Sequence, residues 1–371
     1  MASTTPRAGK QAAKAKSAGA RPTGRKSAKG RPAGAVRRTP PRPKQSAPEL
    51  TFGTLIAPDR SGGWAPMVMR AAGALAVVGA VALVVGQYTP YADLSGQTVT
   101  APVSVLSVLA QLVLLTVVAG AGVLLAIGRA GRAAMSALLA FGATAVGSLM
   151  LAIFQTSSIP EHPTTDFYFG KGYETTSITG LTGHTLTVAG QGALVVALIL
   201  CAICWPRIED NDPVPLEGAR VGVALASVGA GIIGLIAFYN PPVFPAVRVT
   251  KPDGITEVPV DVQVPAGPGG MLGLGRAGGI TFMVTVLIVG VLIAFLLART
   301  SVIGGLVGLS GFFAYEALLN FRDVIGNPDF VAGVRSYLLA AATVITAAGA
   351  VYATLTRRRR TGPLGAETDE I

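Results

Sequence analysis

Few of the 371 residues carry side chains that could do chemistry, and they do not gather into a recognisable constellation. Cys201 and Cys204, the chain's two cysteines, form a Cys-x-x-Cys, which in a soluble setting would suggest redox chemistry or half of a zinc site. Here the flanks are Leu198-Ile199-Leu200 and Ala202-Ile203, no further cysteine completes a metal set, and apolar surroundings leave a thiol inert. The two histidines, His162 and His184, share a stretch with Glu161, Asp166 and Glu174, beside Tyr168 and Tyr173. Imidazole and carboxylate suit a divalent metal, but the spacing fits no ligand signature, so the reading is a solvated polar loop with no metal and no cofactor.

The remaining candidates are polar groups inside apolar segments: Gln111, Gln191, Glu316 and Arg335. An ionisable group inside a membrane is costly unless paired or wet, and points by default to a solute or proton path. Glu316 falls about one turn from the outer end of the seventh apolar segment and Arg335 opens the eighth, so the two are placed to pair across a hairpin. The other segments have only scattered Ser and Thr near their centres, which supplies neither a nucleophile with a base nor a metal set. No catalytic residue is assigned.

The elements that must position these groups follow from composition. The chain is 51% hydrophobic and 13% charged, with mean hydropathy +0.57, against roughly a quarter charged for an average soluble domain. With 6% aromatics and 47 glycines the apolar mass is Ala, Val, Leu and Gly, as in packed transmembrane helices. A soluble enzyme is excluded, and an all-α polytopic membrane protein is expected. The Ala/Gly/Val/Arg bias has the character of high-GC, actinobacterial-type coding.

A window of about 19 residues finds eight stretches that match a hydrocarbon core of about 30 Å. They fall near 67–87, 103–127, 133–154, 185–205, 219–239, 279–298, 301–320 and 333–355. Arg129, Arg132, Arg207, Arg220, Arg299 and the run Arg357–Arg360 mark one side, and 24 of the 30 basic residues fall there. The positive-inside rule makes that side cytoplasmic, with both termini on it and the protein in the plasma membrane. The organisation expected is a basic cytoplasmic tail (1–66), an eight-helix domain (67–356) and a short cytoplasmic C-terminal tail (357–371), with external loops near 88–102, 155–184, 240–278 and 321–332.

The net charge of +11 is concentrated in the tail, where residues 1–48 hold 13 basic and no acidic groups, leaving −2 for the remainder. Such a Pro-, Gly- and Ala-rich segment buries too little apolar surface to offset its ordering entropy and is expected to be disordered. Arg37, Arg38, Arg42 and Lys44 of this segment are the candidates to meet anionic lipid head groups. Residues 1–48 carry no aromatic residue to stack on bases, which argues against sequence-specific nucleic acid as a partner.

Taken in pairs, the helices suggest four tandem helical hairpins of repeat origin. Arg70-Ala71-Ala72-Gly73-Ala74-Leu75 resembles Arg220-Val221-Gly222-Val223-Ala224-Leu225, and Val108-Leu109-Ala110-Gln111 resembles Val188-Ala189-Gly190-Gln191. Small residues recur at four-residue spacing at Ser136, Ala140, Thr144 and Ser148, at Gly222, Ala226, Ala230 and Gly234, and at Gly304 and Gly308. Such stripes permit close backbone approach, either within the bundle or to a partner. In the loop near 240–278, Val258, Val260, Val262 and Val264 alternate with polar residues after the turn Lys251-Pro252-Asp253-Gly254, which predicts a small external β-ribbon with Pro259 at its edge.

These readings lead to a non-catalytic accessory, scaffold or assembly subunit of a membrane complex, in contact with the bilayer and with other membrane proteins or its own copies. The alternative is a channel or carrier for a small neutral solute lined by Gln111, Gln191 and Glu316. A carrier would turn the two glutamines into one wet cavity, and a scaffold would use them as dry helix contacts.

Overall fold

The computed structural model describes residues 63–157, 164–169, 171–175, 177–208, 219–240, 247–250, 257–260, 273–296, 298–325 and 333–355. The basic tail, with Arg37, Arg38, Arg42 and Lys44, and the C-terminal arginine run lie outside the described residues, as do Glu161, His162 and Val262. Eight helices are long and apolar enough to cross a membrane: α1 (Ala65–Tyr88), α2 (Val105–Ala126), α3 (Gly131–Gln155), α4 (Thr182–Arg207), α5 (Arg220–Tyr239), α6 (Arg276–Phe295), α7 (Arg299–Ile325) and α8 (Val334–Leu355).

Local chemistry sets several ends. A proline in the first turn opens α1, where its missing N–H costs nothing. Ser104 caps α2 by accepting from Ser107 N at 3.1 Å while Ser107 Oγ accepts from Ser104 N at 2.9 Å, a reciprocal box built from two serines. Residues Trp205–Arg207 close α4 as a 3₁₀ turn. α2 widens into a π-helical turn over Leu115–Ala119, and α3 is interrupted at Ala143. α7 departs from expectation: at 27 residues, about 40 Å long, it runs on to Ile325 and takes Arg322 and Asp323 into the helix, where a loop from 321 was expected. Phe321-Arg322-Asp323-Val324-Ile325 contains no Gly or Pro to stop it.

The helix contacts repeat with a unit of four. In the first half α1 packs on α2 and α4, and α3 on α4; in the second α5 packs on α6 and α8, and α7 on α8. Between the halves α3 lies along α7, α2 meets α7, and α3 meets α6. Exchanging α1–α4 with α5–α8 maps this scheme onto itself, the pattern of an approximate two-fold. Side chains follow it. A Cβ at Gly147 of α3 would fall 2.6 Å from the Phe282 backbone of α6, and one at Gly311 of α7 would fall 2.6 Å from Val117 of α2. Between the halves, Gly304 of α7 lies directly against Ala133 and Ser136 of α3.

Arginines at the start of the third helix of each half complete the correspondence. Arg132 donates through Nε (2.6 Å) and Nη2 to the carbonyl of Ile208, just past α4. Arg299 donates through Nε to the Ala353 carbonyl (2.7 Å) and through Nη2 to that of Thr354 (2.6 Å), at the end of α8. Each cation thereby satisfies helix-terminal carbonyls and faces the negative end of the helix dipole. The helix contacts thus repeat with a unit of four helices, and within it each expected hairpin packs as a neighbouring pair. The Arg70 and Arg220 motifs open its two copies, whereas the likeness between the Gln111 and Gln191 segments joins α2 to α4, which do not correspond.

The small-residue stripes are internal contacts. Ser136 of α3 faces Gly304 of α7, and Ala137 faces Gly308. Gly222 lies against the Tyr352 ring, Ala226 against Gly349, and Gly234 against Phe313. α1 and α4 approach through Gly79 with Gly190 and Gly86 with Gly183, each would-be Cβ falling within 2.9 Å of the opposite carbonyl oxygen. Without a hydrophobic gain between helices in lipid, such flat faces and the dispersion contacts they allow hold the bundle.

One end of the bundle carries the strands. β1 (Ala92–Leu94) pairs antiparallel with β2 (Gln97–Val99) and with β5 (Ile178–Gly180). β3 (Thr164–Tyr168), β4 (Lys171–Thr175), β6 (Val247–Thr250) and β7 (Glu257–Val260) form a second sheet in that order, β4 and β6 being parallel. The stretch 155–184, read from sequence as a loop, thus contains three strands, and β7 with Pro259 is an edge. Tyr91, Phe169, Tyr173 and Ile178 pack over Ala92, Leu94 and Val99 as a small core apart from that of the bundle.

Candidate functional site

Every buried side-chain polar atom without a hydrogen-bond partner among the described residues, namely Tyr88 Oη, Gln111 Oε1, Arg322 Nη1 and Arg335 Nε, belongs to the strand end of α1, α2, α7 or α8. Buried polar groups are paired in the great majority of cases, so such a concentration marks this end as the candidate site.

α7 is its spine. Tyr315 and Arg322 are two turns apart, as are Glu316 and Asp323, so each pair lies along one strip of the helix. Gln111, 3% exposed, donates from Nε2 to Gln87 Oε1 at 2.7 Å and interacts with the Tyr315 hydroxyl, joining α1, α2 and α7. Further along, Asn320 Nδ2 donates to the Glu316 carbonyl at 2.8 Å. Arg322, 6% exposed, donates to Asp323 Oδ1 through Nε (2.8 Å) and Nη2 (2.6 Å), and its guanidinium carbon lies 5.6 Å from the Phe169 ring centre.

Arg335 of α8 stands 5.1 Å over the Phe238 ring of α5. It is within electrostatic reach of both Glu316 and Asp323. The close ion pair at this end is therefore Arg322 with its sequence neighbour Asp323, while Glu316 and Arg335, the pair considered from sequence, interact at longer range. With α7 continuing to Ile325, Asp323 is a second carboxylate within reach of Arg335.

A second cluster joins the strand layer to the first half. The Tyr91 hydroxyl donates to Gln155 Oε1 at 3.1 Å, and the ring meets Phe169 and His184 edge-on at 5.4 and 5.6 Å. Burial pushes the Tyr91 phenol up to about 12 and that of Tyr173 above its usual value. His184 is buried and holds the Ala152 carbonyl through Nε2 at 2.9 Å, a bridge between α3 and α4. Among the described residues no group of three or more His, Cys, Asp or Glu side chains is placed to hold a metal ion. Cys201 and Cys204 are buried as free thiols on α4.

Of the residues singled out from sequence, Gln111, Glu316 and Arg335 meet around α7. Gln191 does not: it is half-buried on α4, whose helix neighbours are α1 and α3. The two glutamines occupy separate helix contacts. Gln87, Tyr88, Tyr315, Arg322 and Asp323 were missed, and the two-turn repeat of polar residues along α7 was the available signal.

The chain is thus a multi-pass, all-α membrane protein whose buried unpartnered polar groups collect at one end of an eight-helix bundle. In comparisons with protein-family models, with curated proteins and with solved structures, it matched none.

Proposed function

We propose that the protein is a non-catalytic plasma-membrane subunit, an accessory or scaffold whose strand end faces outward and presents the Arg322, Asp323, Glu316 and Arg335 cluster with the strand layer to a partner membrane protein. The observation that carries this reading is the contrast between a bundle closed by glycine-to-backbone contacts and an end where buried donors and acceptors stay unpartnered. Buried charges that are incompletely paired are expensive, and a partner that repacks this end on docking can supply what they lack. The orientation follows from Arg129, Arg132, Arg207, Arg220 and Arg299 at the opposite end, which the positive-inside rule puts in the cytoplasm with both termini. There the basic tail would lie on anionic head groups through Arg37, Arg38, Arg42 and Lys44.

The test is purification from the native host in mild detergent with mass-spectrometric identification of what co-elutes. The chain is compared with Arg335→Gln and with a form lacking residues 2–48. Reproducible membrane partners that are lost with Arg335→Gln are the expected result. A partner-free protein overturns the reading in favour of a carrier for a small neutral solute, and flux through Gln111→Leu and Glu316→Gln variants would then be measured. Tail dependence would separate recruitment at the cytoplasmic face from recruitment outside.

A further inference from the structure

Phe169 sits in the turn between β3 and β4 with φ of +51°, a left-handed backbone that a bulky side chain rarely adopts. A glycine, the residue type that takes this conformation without strain, stands next in sequence at 170. Strain of this kind persists only where surrounding contacts hold it, and here the ring makes them. It meets the Tyr91 ring edge-on at 5.4 Å, and its centre lies 5.6 Å from the Arg322 guanidinium carbon. Phe169 is half-buried and so reachable from outside, whereas Arg322 is 6% exposed.

Tyr91 is tied to the bundle, because its carbonyl accepts from Leu181 N at the start of α4 (2.9 Å) and its hydroxyl donates to Gln155. Phe169 belongs to the other sheet, whose strands pair with one another and not with β1, β2 or β5. Arg322 spends Nε and Nη2 on Asp323, and its Nη1 has no hydrogen-bond partner. A ring face attracts a guanidinium but is a poorer partner than an acceptor oxygen. The contact of Phe169 with Arg322 is therefore the exchangeable one: strain in the turn favours its release, and a stronger acceptor at Nη1 would complete it.

We propose that the β3–β4 turn is a lid, latched by the Phe169 ring over Arg322, that opens when an acceptor group of a docking partner replaces the ring at Nη1. Its part in partner access rests on the docking reading above, whereas the latch itself does not.

Full-length protein in nanodiscs would be treated with phenylglyoxal, which modifies accessible guanidinium groups, and each arginine followed by peptide mass spectrometry. Arg299, also 6% exposed but bound to carbonyls at the opposite end, is the buried reference, and Arg220 is the exposed one. In the unmodified protein Arg322 should react several-fold faster than Arg299 and more slowly than Arg220. Equal rates at Arg322 and Arg299 overturn the lid, and this comparison needs no variant to fold. Phe169→Ala should raise the Arg322 rate about fivefold or more, as expected for loss of a cation–π and an aromatic contact, with Arg299 and Arg220 unchanged. Phe169→Gly, which suits the left-handed backbone, should do the same, and Phe169→Tyr should keep the native rate. An unchanged Arg322 rate in both small variants overturns the proposal in favour of static packing. A parallel rise at Arg299 overturns it in favour of a ring that supports the whole fold. No partner is present in this assay, so its failure leaves the docking reading standing, and a partner-free purification leaves the latch standing.

Discussion

The halves α1–α4 and α5–α8 share one scheme of helix contacts but differ in what they do with their ends. Both close the side opposite the strands with an arginine on helix-terminal carbonyls, Arg132 on Ile208 and Arg299 on Ala353 and Thr354. In the first half α2 carries a π turn, α3 is interrupted at Ala143, and the strand-side ends of the helices carry no Asp, Glu, Lys or Arg, with Gln155 and His184 meeting Tyr91 of the strand layer there. In the second half α7 is unbroken and its strand end is charged, with Arg322 paired to Asp323 and with Glu316 and Asp323 within electrostatic reach of Arg335. A common backbone scheme therefore sets where helices touch, while the side chains at the strand end set how charged each half is there.

The largest effect should come from the contact on which the two halves meet. A Cβ at Gly304 would overlap the Ala133 carbonyl, so Gly304→Leu should destabilise by about 3 kcal/mol or more and lower folded yield, read as melting temperature in detergent. Gly192 has open space around it, and Gly192→Leu should be neutral in the same assay. Equal effects would break the view that the halves are held by close backbone approach.

Next come the two arginine contacts. Arg299→Ala leaves two terminal carbonyls unmet and should cost about 1.5–3 kcal/mol, more than Arg132→Ala, which frees one carbonyl and a stacking contact with Trp205. The reverse order in chemical denaturation would show that the halves are not equivalent at this end. Smaller in stability but larger in function, Asp323→Asn removes the carboxylate paired to Arg322 and should weaken partner retention without altering helix content by circular dichroism.

The smallest effect belongs to Tyr91. Its phenol is raised from 10.0 to about 12 in the folded state, so the neutral form is favoured by folding. That stability is fully present below pH 10 and is lost as pH rises from 10.0 towards about 12. Tyr91→Phe should remove this alkaline slope and cost about 0.5–1.5 kcal/mol at neutral pH through the lost bond to Gln155. An unchanged slope in melting temperature would place the alkaline transition elsewhere, with Tyr173 the next candidate.

Sequence alone determined the helical class, the eight segments and most of their ends, because a run of about 20 apolar residues is a local property matched to a hydrocarbon thickness. It also singled out Gln111, Glu316 and Arg335, since polar groups within apolar runs stand out without any knowledge of neighbours. The end of α7 was misplaced because polar residues such as Arg322 and Asp323 end a hydropathy segment without ending a helix. Only the tertiary structure decided that the helix contacts repeat with a unit of four, that Gln111 meets Tyr315 rather than Gln191, and that Arg322 pairs with Asp323. The physical reason is that helix pairing in lipid rests on close approach at small residues, and with 47 glycines many faces of this chain are equally small in one dimension. Which of them meet is settled only when all eight helices pack at once.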